Sequence, residues 1–214
     1  LGYKGAEIKG NIDSKSLKII ENKVIKEALK EKRDKIQKKI EELEKDLVAK
    51  GYEVKSIVFN VADFDNIPKQ VERIHALFGS IDIWVNNAGI TESAAIESIT
   101  EQQWDRMQDI DLKSVFFCSQ AVFKIMKEQR YGRLVHISSM AGERGGRGSS
   151  ASYSAAKAGV INLAKSFALN GGQYNITSNA VCPGRTLTEM AKGLSWLTDP
   201  KDDPKLTIPL CRFG

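Results

Sequence analysis

Tyr153 stands four residues ahead of Lys157, in the stretch SSMAGERGGRGSSASYSAAK that runs from residue 138 to residue 157. On a helix that spacing puts both side chains on one face, one turn apart. A free phenol ionises at about pH 10, too high to act as a base near neutrality. A neighbouring ammonium favours the phenolate and pulls that value down. Such a pair can pass a proton to or from a bound group, and the Ser139 hydroxyl just upstream can hold a carbonyl beside it. Gly142, Gly145, Gly146 and Gly148 let the intervening chain turn closely over the place where a ligand would lie. The pair alone is common on solvated helices. Its weight comes from what accompanies it.

Those companions sit on elements that the sequence pattern predicts. IDIWVNNAG (81–89), RLVHISS (133–139) and NITSNAVCPG (175–184) read as short apolar strands that end in small or polar residues. YEVKSIVFNV (52–61) reads as a further strand. Helices are expected at 24–50, where Ile36, Ile40, Leu43 and Leu47 form a stripe closed by Gly51, and at 66–79. Another is expected at 100–130, with Thr100 as its N-cap, and another at 151–170. Strands alternate with helices, and both faces of most strands are apolar. That pattern predicts an α/β fold with a parallel sheet covered by helices on both faces. Ligands of such sheets lie beyond the carboxyl ends of the strands. Asn86 to Gly89, Ser138 with Ser139, and Pro183 with Gly184 are all placed there.

From about residue 52 onward the chain resembles the short-chain dehydrogenase/reductase family. The residues that carry the likeness are Asn60-Val61, Asn86-Asn87-Ala88-Gly89, Ser139-x-x-Gly142, Tyr153-x-x-x-Lys157, and Pro183-Gly184 with Thr188 after it. The flavour is nearest to 3-oxoacyl-carrier-protein reductases and sugar or polyol dehydrogenases. The resemblance implies one Rossmann-like, doubly wound domain over 1–214, with an atypical front end at 1–25 and a substrate lid at 186–214. It implies an NAD- or NADP-dependent oxidoreductase that interconverts a ketone and a secondary alcohol. Tyr153 would be the general acid or base. Lys157 would lower the pKa of Tyr153 and bind the nicotinamide ribose, and Ser139 would polarise the carbonyl. Asn60 and Val61 would flank the adenine, and Asn87, Ala88 and Gly89 would line the ribose side. Pro183, Gly184, Thr186 and Thr188 would hold the carboxamide and the pyrophosphate. A homo-oligomer, dimer or tetramer, in the cytoplasm is implied as well.

Two departures from the family pattern stand out. Asp111 occupies the place of the family's asparagine, in the stretch Asp109-Ile110-Asp111-Leu112-Lys113. Its backbone carbonyl is unchanged, but its carboxylate is expected to weaken the hold of Lys157 on the tyrosine and to reduce activity. The family's T-G-x-x-x-G-x-G segment is not found, and the fold is expected to be incomplete at both ends. Gly2, Gly5 and Gly10 in LGYKGAEIKG fit a lysine-rich surface segment better than a remnant of that motif. These departures leave a rival reading open, a non-catalytic relic that acts only through subunit association.

Composition narrows the rest. The 214 residues carry 42% hydrophobic residues, enough for a buried core. No apolar run is long enough for a membrane helix, and no signal peptide is read at the front. The net charge of +5 sits almost wholly in residues 1–50, where bases and acids alternate at helical spacing as on a solvated face. That segment lacks interleaved aromatics for stacking on bases, so nucleic-acid binding is not expected. Cys118, Cys182 and Cys211 are far apart and odd in number, which fits a reducing compartment rather than a disulfide framework. His75 and His136 lack partners at metal-ligand spacing, so no metal is expected and both read as structural.

Overall fold

The computed structural model describes residues 34–146 and 150–188. The expectations for LGYKGAEIKG, for Gly148 and for the lid beyond Thr188 lie outside those residues. By packing, the chain divides into two units, Leu1–Val58 and Phe59–Gly214.

In the first unit, residues 34–49 form helix α1. Lys50 pairs with Asp46 one turn back at 2.8 Å, and Gly51 takes a left-handed φ of 88° just past the helix end, as its place in the sequence predicts. Both the amide and the hydroxyl of Ser56 donate to the Glu44 carboxylate. The expected apolar stripe is only partly covered, with Ile36 and Leu43 exposed. Residues 52–60 correct the sequence reading, because they form no strand. Alternating apolar residues suit a pleated surface, but a strand exists only where a neighbour takes its N–H and C=O groups. No such neighbour stands among the described residues, and Tyr52 and Val58 are exposed.

The second unit is built on three parallel strands, β1 (Ile83–Asn86), β2 (Gly132–Ile137) and β3 (Ile176–Val181), in the order β1-β2-β3. Val85 faces Val135, and Val135 in turn faces Asn179. Helix α2 (Ile67–Phe78) precedes β1, with Pro68 in its first turn and left-handed Gly79 as its C-cap. Between β1 and β2 runs one long helix in three parts. They are α3 (Glu101–Gln108), a π-helical turn at Asp109–Lys113, and α4 (Ser114–Gln129). Thr100 caps it as expected, through a reciprocal capping box with Gln103. The short α5 (Met140–Arg144) and the long α6 (Ala151–Gly171) connect β2 to β3.

Both crossovers move along the sheet in the same direction. Right-handed connections therefore place α4 and α6 on the same face. Burial follows suit: Leu134, His136, Ile176 and Ser178 are buried, while alternate residues on β1 and β3 are open. The core under that face joins Ile67 and Val71 of α2 to Cys118, Val122 and Met126 of α4, with Leu134, Phe167 and Ile176. Each such side chain contributes about 1.5–3 kcal/mol when fully buried. On the opposite face Ile83 is 63% exposed and Val85 52%, so the described residues supply the helices of one side of the sheet. Among the described residues no helix is long and apolar enough to cross a membrane.

Candidate active site

The carboxyl ends of the three strands are tied into one corner. The Ser138 amide donates to Val181 O at 2.8 Å, and the Met140 amide to Pro183 O at 3.0 Å, joining the exits of β2 and β3. Helix α6 is anchored against them by the Ser138 hydroxyl, which donates to Lys157 O at 2.7 Å. Gly142 makes the close packing of α5 on α6 feasible: a Cβ there would lie 2.6 Å from the Lys157 carbonyl carbon. Ser150 is the N-cap of α6, its hydroxyl accepting from the Tyr153 amide, and its own amide donates to Glu92 O on the loop after β1. Gln108 reaches across from α3 to Ser152 O at 2.9 Å. Each element that bears a candidate side chain is thus fixed to a neighbour.

Four of the predicted residues meet in this corner. Ser139 is the N-cap of α5, its Oγ accepting from the Ala141 amide at 3.1 Å, and its hydroxyl acts on the Tyr153 phenol to lower its pKa. The Lys157 ammonium lies 5.6 Å from the centre of the Tyr153 ring. It donates to Ile137 O at 3.1 Å and pairs with Asp111 Oδ1 at 3.2 Å. Asp111 sits in the π-helical turn and is wholly buried, while Lys157 is 5% exposed. The Ile90 amide donates to both carboxylate oxygens, at 3.2 and 3.1 Å. Single π-helical turns inside α-helices are frequently found at functional sites.

The electrostatics correct one expectation. The sequence predicts that Lys157 draws the Tyr153 pKa down. In the folded protein that pKa is raised: burial is the largest cause, the Ser139 hydroxyl opposes it, and the Asp111 charge adds to it. Asp111 is itself raised by burial, against the pull of Lys157 and the Ile90 amide. The ammonium stands between its buried carboxylate partner, at 3.2 Å, and the Tyr153 ring, at 5.6 Å.

The remaining predicted residues surround the corner at different depths. Asn87 and Ala88 are exposed directly beyond β1, and Gly89 follows. A Cβ on Gly89 would come 2.5 Å from Asp111 Oδ1 and 3.3 Å from Lys157 Nζ, so bare backbone is required beside the ion pair. Pro183 and Gly184 lie exposed beyond β3, and Thr186 donates to Gly184 O at 3.4 Å. Thr188 is exposed at the end of the described chain. Asn60 and Val61 lie before α2, with Asn60 Oδ1 accepting locally from the Ala62 amide at 3.0 Å. The sequence reading missed Ser150, Ser152, Gln108 and Glu92, which hold the tyrosine helix in place. A serine directly before a helical run is an N-cap signature, so Ser150 was within reach.

A nicotinamide dinucleotide can be tested against this surface. The strand ends offer small residues and open backbone at Asn87, Ala88, Pro183 and Gly184. The Lys157 ammonium has three protons, and two go to Ile137 O and Asp111. The third suits a ribose hydroxyl, so the residues fit the group.

Known proteins point the same way. The family profile described as short chain dehydrogenase matches residues 22–196. The chain is 41% identical over 182 residues to a 3-oxoacyl-[acyl-carrier-protein] reductase of Staphylococcus epidermidis, covering 85% of this chain and 72% of that one. It is 40% identical to the Escherichia coli enzyme of the same name, over 77% of this chain and 66% of the other. Among solved structures, a gluconate 5-dehydrogenase from Burkholderia cenocepacia, crystallised with NADP and tartrate, superposes with a TM-score of 0.74. That match is 28% identical and covers 80% of this chain and 67% of the other. With its strand order, its Tyr153–Lys157 helix and these relatives, the chain belongs to the short-chain dehydrogenase family.

Proposed function

We propose that the protein reduces a ketone to a secondary alcohol, and catalyses the reverse, with Tyr153 as the proton donor and acceptor. The observation that carries this reading is the meeting of Ser139, Tyr153 and Lys157 at the carboxyl ends of β1, β2 and β3. NAD or NADP is the cofactor and, when bound, supplies or accepts the hydride. Lys157, Asn87, Ala88, Gly89, Pro183, Gly184, Thr186 and Thr188 are the residues assigned to hold it, with Asn60 and Val61 toward the adenine.

The chain's own part is binding, alignment and proton transfer. The Ser139 hydroxyl takes the substrate carbonyl oxygen and aligns it beside the phenol. In reduction Tyr153 delivers its proton to that oxygen as the alcohol forms; in oxidation the phenolate recovers it. Lys157 holds the ribose, with its ammonium 5.6 Å from the centre of the Tyr153 ring. The raised phenol pKa keeps the proton on Tyr153 at neutral pH, which suits a general acid. Identity to the two 3-oxoacyl-carrier-protein reductases favours a 3-oxoacyl thioester as substrate. We place the reaction in the cytoplasm, in a dimer or tetramer that uses exposed aromatics such as Trp104 and Phe116.

The test is oxidation of NADPH or NADH, followed at 340 nm with acetoacetyl-coenzyme A, in the protein and in Tyr153→Phe. General acid catalysis is worth about 10²–10⁴-fold, so the variant should lose that much while still binding NADPH. Turnover by Tyr153→Phe within a few-fold of the parent would refute the reading.

A further inference from the structure

The pair formed by Lys157 and Asp111 has a consequence for when the site can work. An ammonium beside a phenol is useful because its positive charge stabilises the phenolate. Here the same ammonium carries a fully buried carboxylate 3.2 Å away on its other side. The carboxylate is fixed from two directions, by Lys157 and by the Ile90 amide, and the π-helical turn aims it inward. Gly89 has no side chain to separate them. A buried pair is screened by solvent much less than a surface pair, so the carboxylate's charge is felt at Tyr153 against that of the ammonium.

We propose that Asp111 is a positioning residue that neutralises Lys157 and so keeps Tyr153 in its protonated form, setting the alkaline limit of the reaction. The proposal rests on the reading of Tyr153 as the proton donor. It extends that reading by naming the group that decides its pH range.

Among the described residues no other charge nearby takes this role. On α5, Glu143 and Arg144 are exposed toward solvent, and Glu143 acts on Cys182. On the long helix Asp109 is paired with Lys113 at 3.2 Å, at the surface, and Asp105 and Arg106 are exposed. His136 of β2 is held by Asn86 and Ser178. Glu92 lies on the loop after β1 and Arg185 beyond β3. Among the described residues, Asp111 is the charge that raises the Tyr153 pKa.

The deciding experiment is an ultraviolet difference titration of the phenolate in the full chain and in Asp111→Asn. Tyr153→Phe and the double variant provide the blanks that isolate Tyr153. The ionisation of Tyr153 should move to lower pH in Asp111→Asn. With acetoacetyl-coenzyme A and NADPH, the alkaline fall of kcat/KM in reduction should move by the same amount. So should the alkaline rise in oxidation of 3-hydroxybutyryl-coenzyme A, because the two directions share one equilibrium constant. Below the new limit, oxidation at a fixed pH should rise about tenfold for every pH unit by which the ionisation moves. Asp111→Ser, which removes the charge without adding bulk, serves if the asparagine variant folds poorly. Superimposable titrations in the parent and the charge-removed variant would overturn the proposal. A phenolate shift in a protein with no turnover would leave the charge assignment standing and refute the proposed function instead.

Discussion

Two buried polar clusters lie on the same three strands, and they differ in charge. Beneath the helix-covered face, Trp84 Nε1 donates to Asn86 Oδ1 at 2.9 Å, and Asn86 Nδ2 donates to Ser119 Oγ at 2.9 Å. The same Asn86 amide meets His136 Nδ1 at 3.0 Å, and His136 Nε2 meets Ser178 Oγ at 3.0 Å. The chain of bonds crosses β1, β2 and β3 and contains no charge. Burial holds His136 down to about 4, so its ring is neutral, accepting from Asn86 and donating to Ser178. At the strand ends, the other cluster keeps an ammonium and a carboxylate out of water. Burial of that kind carries a desolvation penalty that a neutral network avoids. The neutral network fixes the strands side by side, and the charged corner retains groups that can trade a proton. The expense falls where chemistry would be done.

That contrast predicts where breaking a partner hurts most. Lys157→Met strands the Asp111 carboxylate in a buried site, and removing one member of a buried pair typically costs about 3–5 kcal/mol. Urea denaturation should show the loss at pH 7, with much of it recovered in Lys157→Met/Asp111→Leu, where neither charge remains. Equal stability of the two variants would mean that the pair does not carry its charge in the folded state.

The neutral cluster should respond to acid instead. Folded His136 titrates at about 4, below the 6.5 of the exposed side chain, so between these values the unfolded chain binds a proton that the folded one refuses. The stabilisation is complete above pH 6.5 and is lost as pH falls toward 4, about 3 kcal/mol in all. In His136→Gln that part of the acid slope should vanish from denaturation curves collected between pH 7 and 4. An unchanged slope would show that the ring is charged or open to water.

Much of this division is legible in the amino-acid sequence. The apolar runs ending at Asn86, Ser138 and Pro183 mark the strands, and the helix after Thr100 announces its own cap. Tyr153, Lys157 and Ser139 can be picked out because their chemistry depends on spacing along one helix and the end of one strand. His136 reads as structural from its apolar strand, yet its partners cannot be named, since register across three strands is a tertiary property. The π-helical turn leaves no mark, because one inserted residue shifts a helix face without altering composition. Residues 52–60 have strand-like alternation but no ladder, since the pattern describes only one side of a pairing. The direction of the Tyr153 pKa is missed for a similar reason: the lysine is visible as a neighbour, but the depth of burial and the geometry of Asp111 are not.

The smallest effect tests whether the corner depends on close packing as the network does on hydrogen bonds. Gly142 has an ordinary helical role, yet a methyl group there would sit 2.6 Å from the Lys157 carbonyl carbon and 2.8 Å from the Ala158 amide nitrogen. These are backbone atoms, which cannot swing aside as a flexible side chain can, so α5 must move off α6. Overpacking of this sort costs about 1–3 kcal/mol. The displacement would carry Ser139, the N-cap of α5, away from Tyr153, so Gly142→Ala should lower kcat more than its stability loss accounts for. Gly172 is the matched control, at the far end of α6, with a helical φ of −53° and open space where a Cβ would go. Gly172→Ala should leave turnover unchanged and stability equal or slightly higher, because alanine restricts the unfolded chain. If both variants behave alike, the spacing of α5 and α6 does not position Ser139, and the serine must be held by its strand alone.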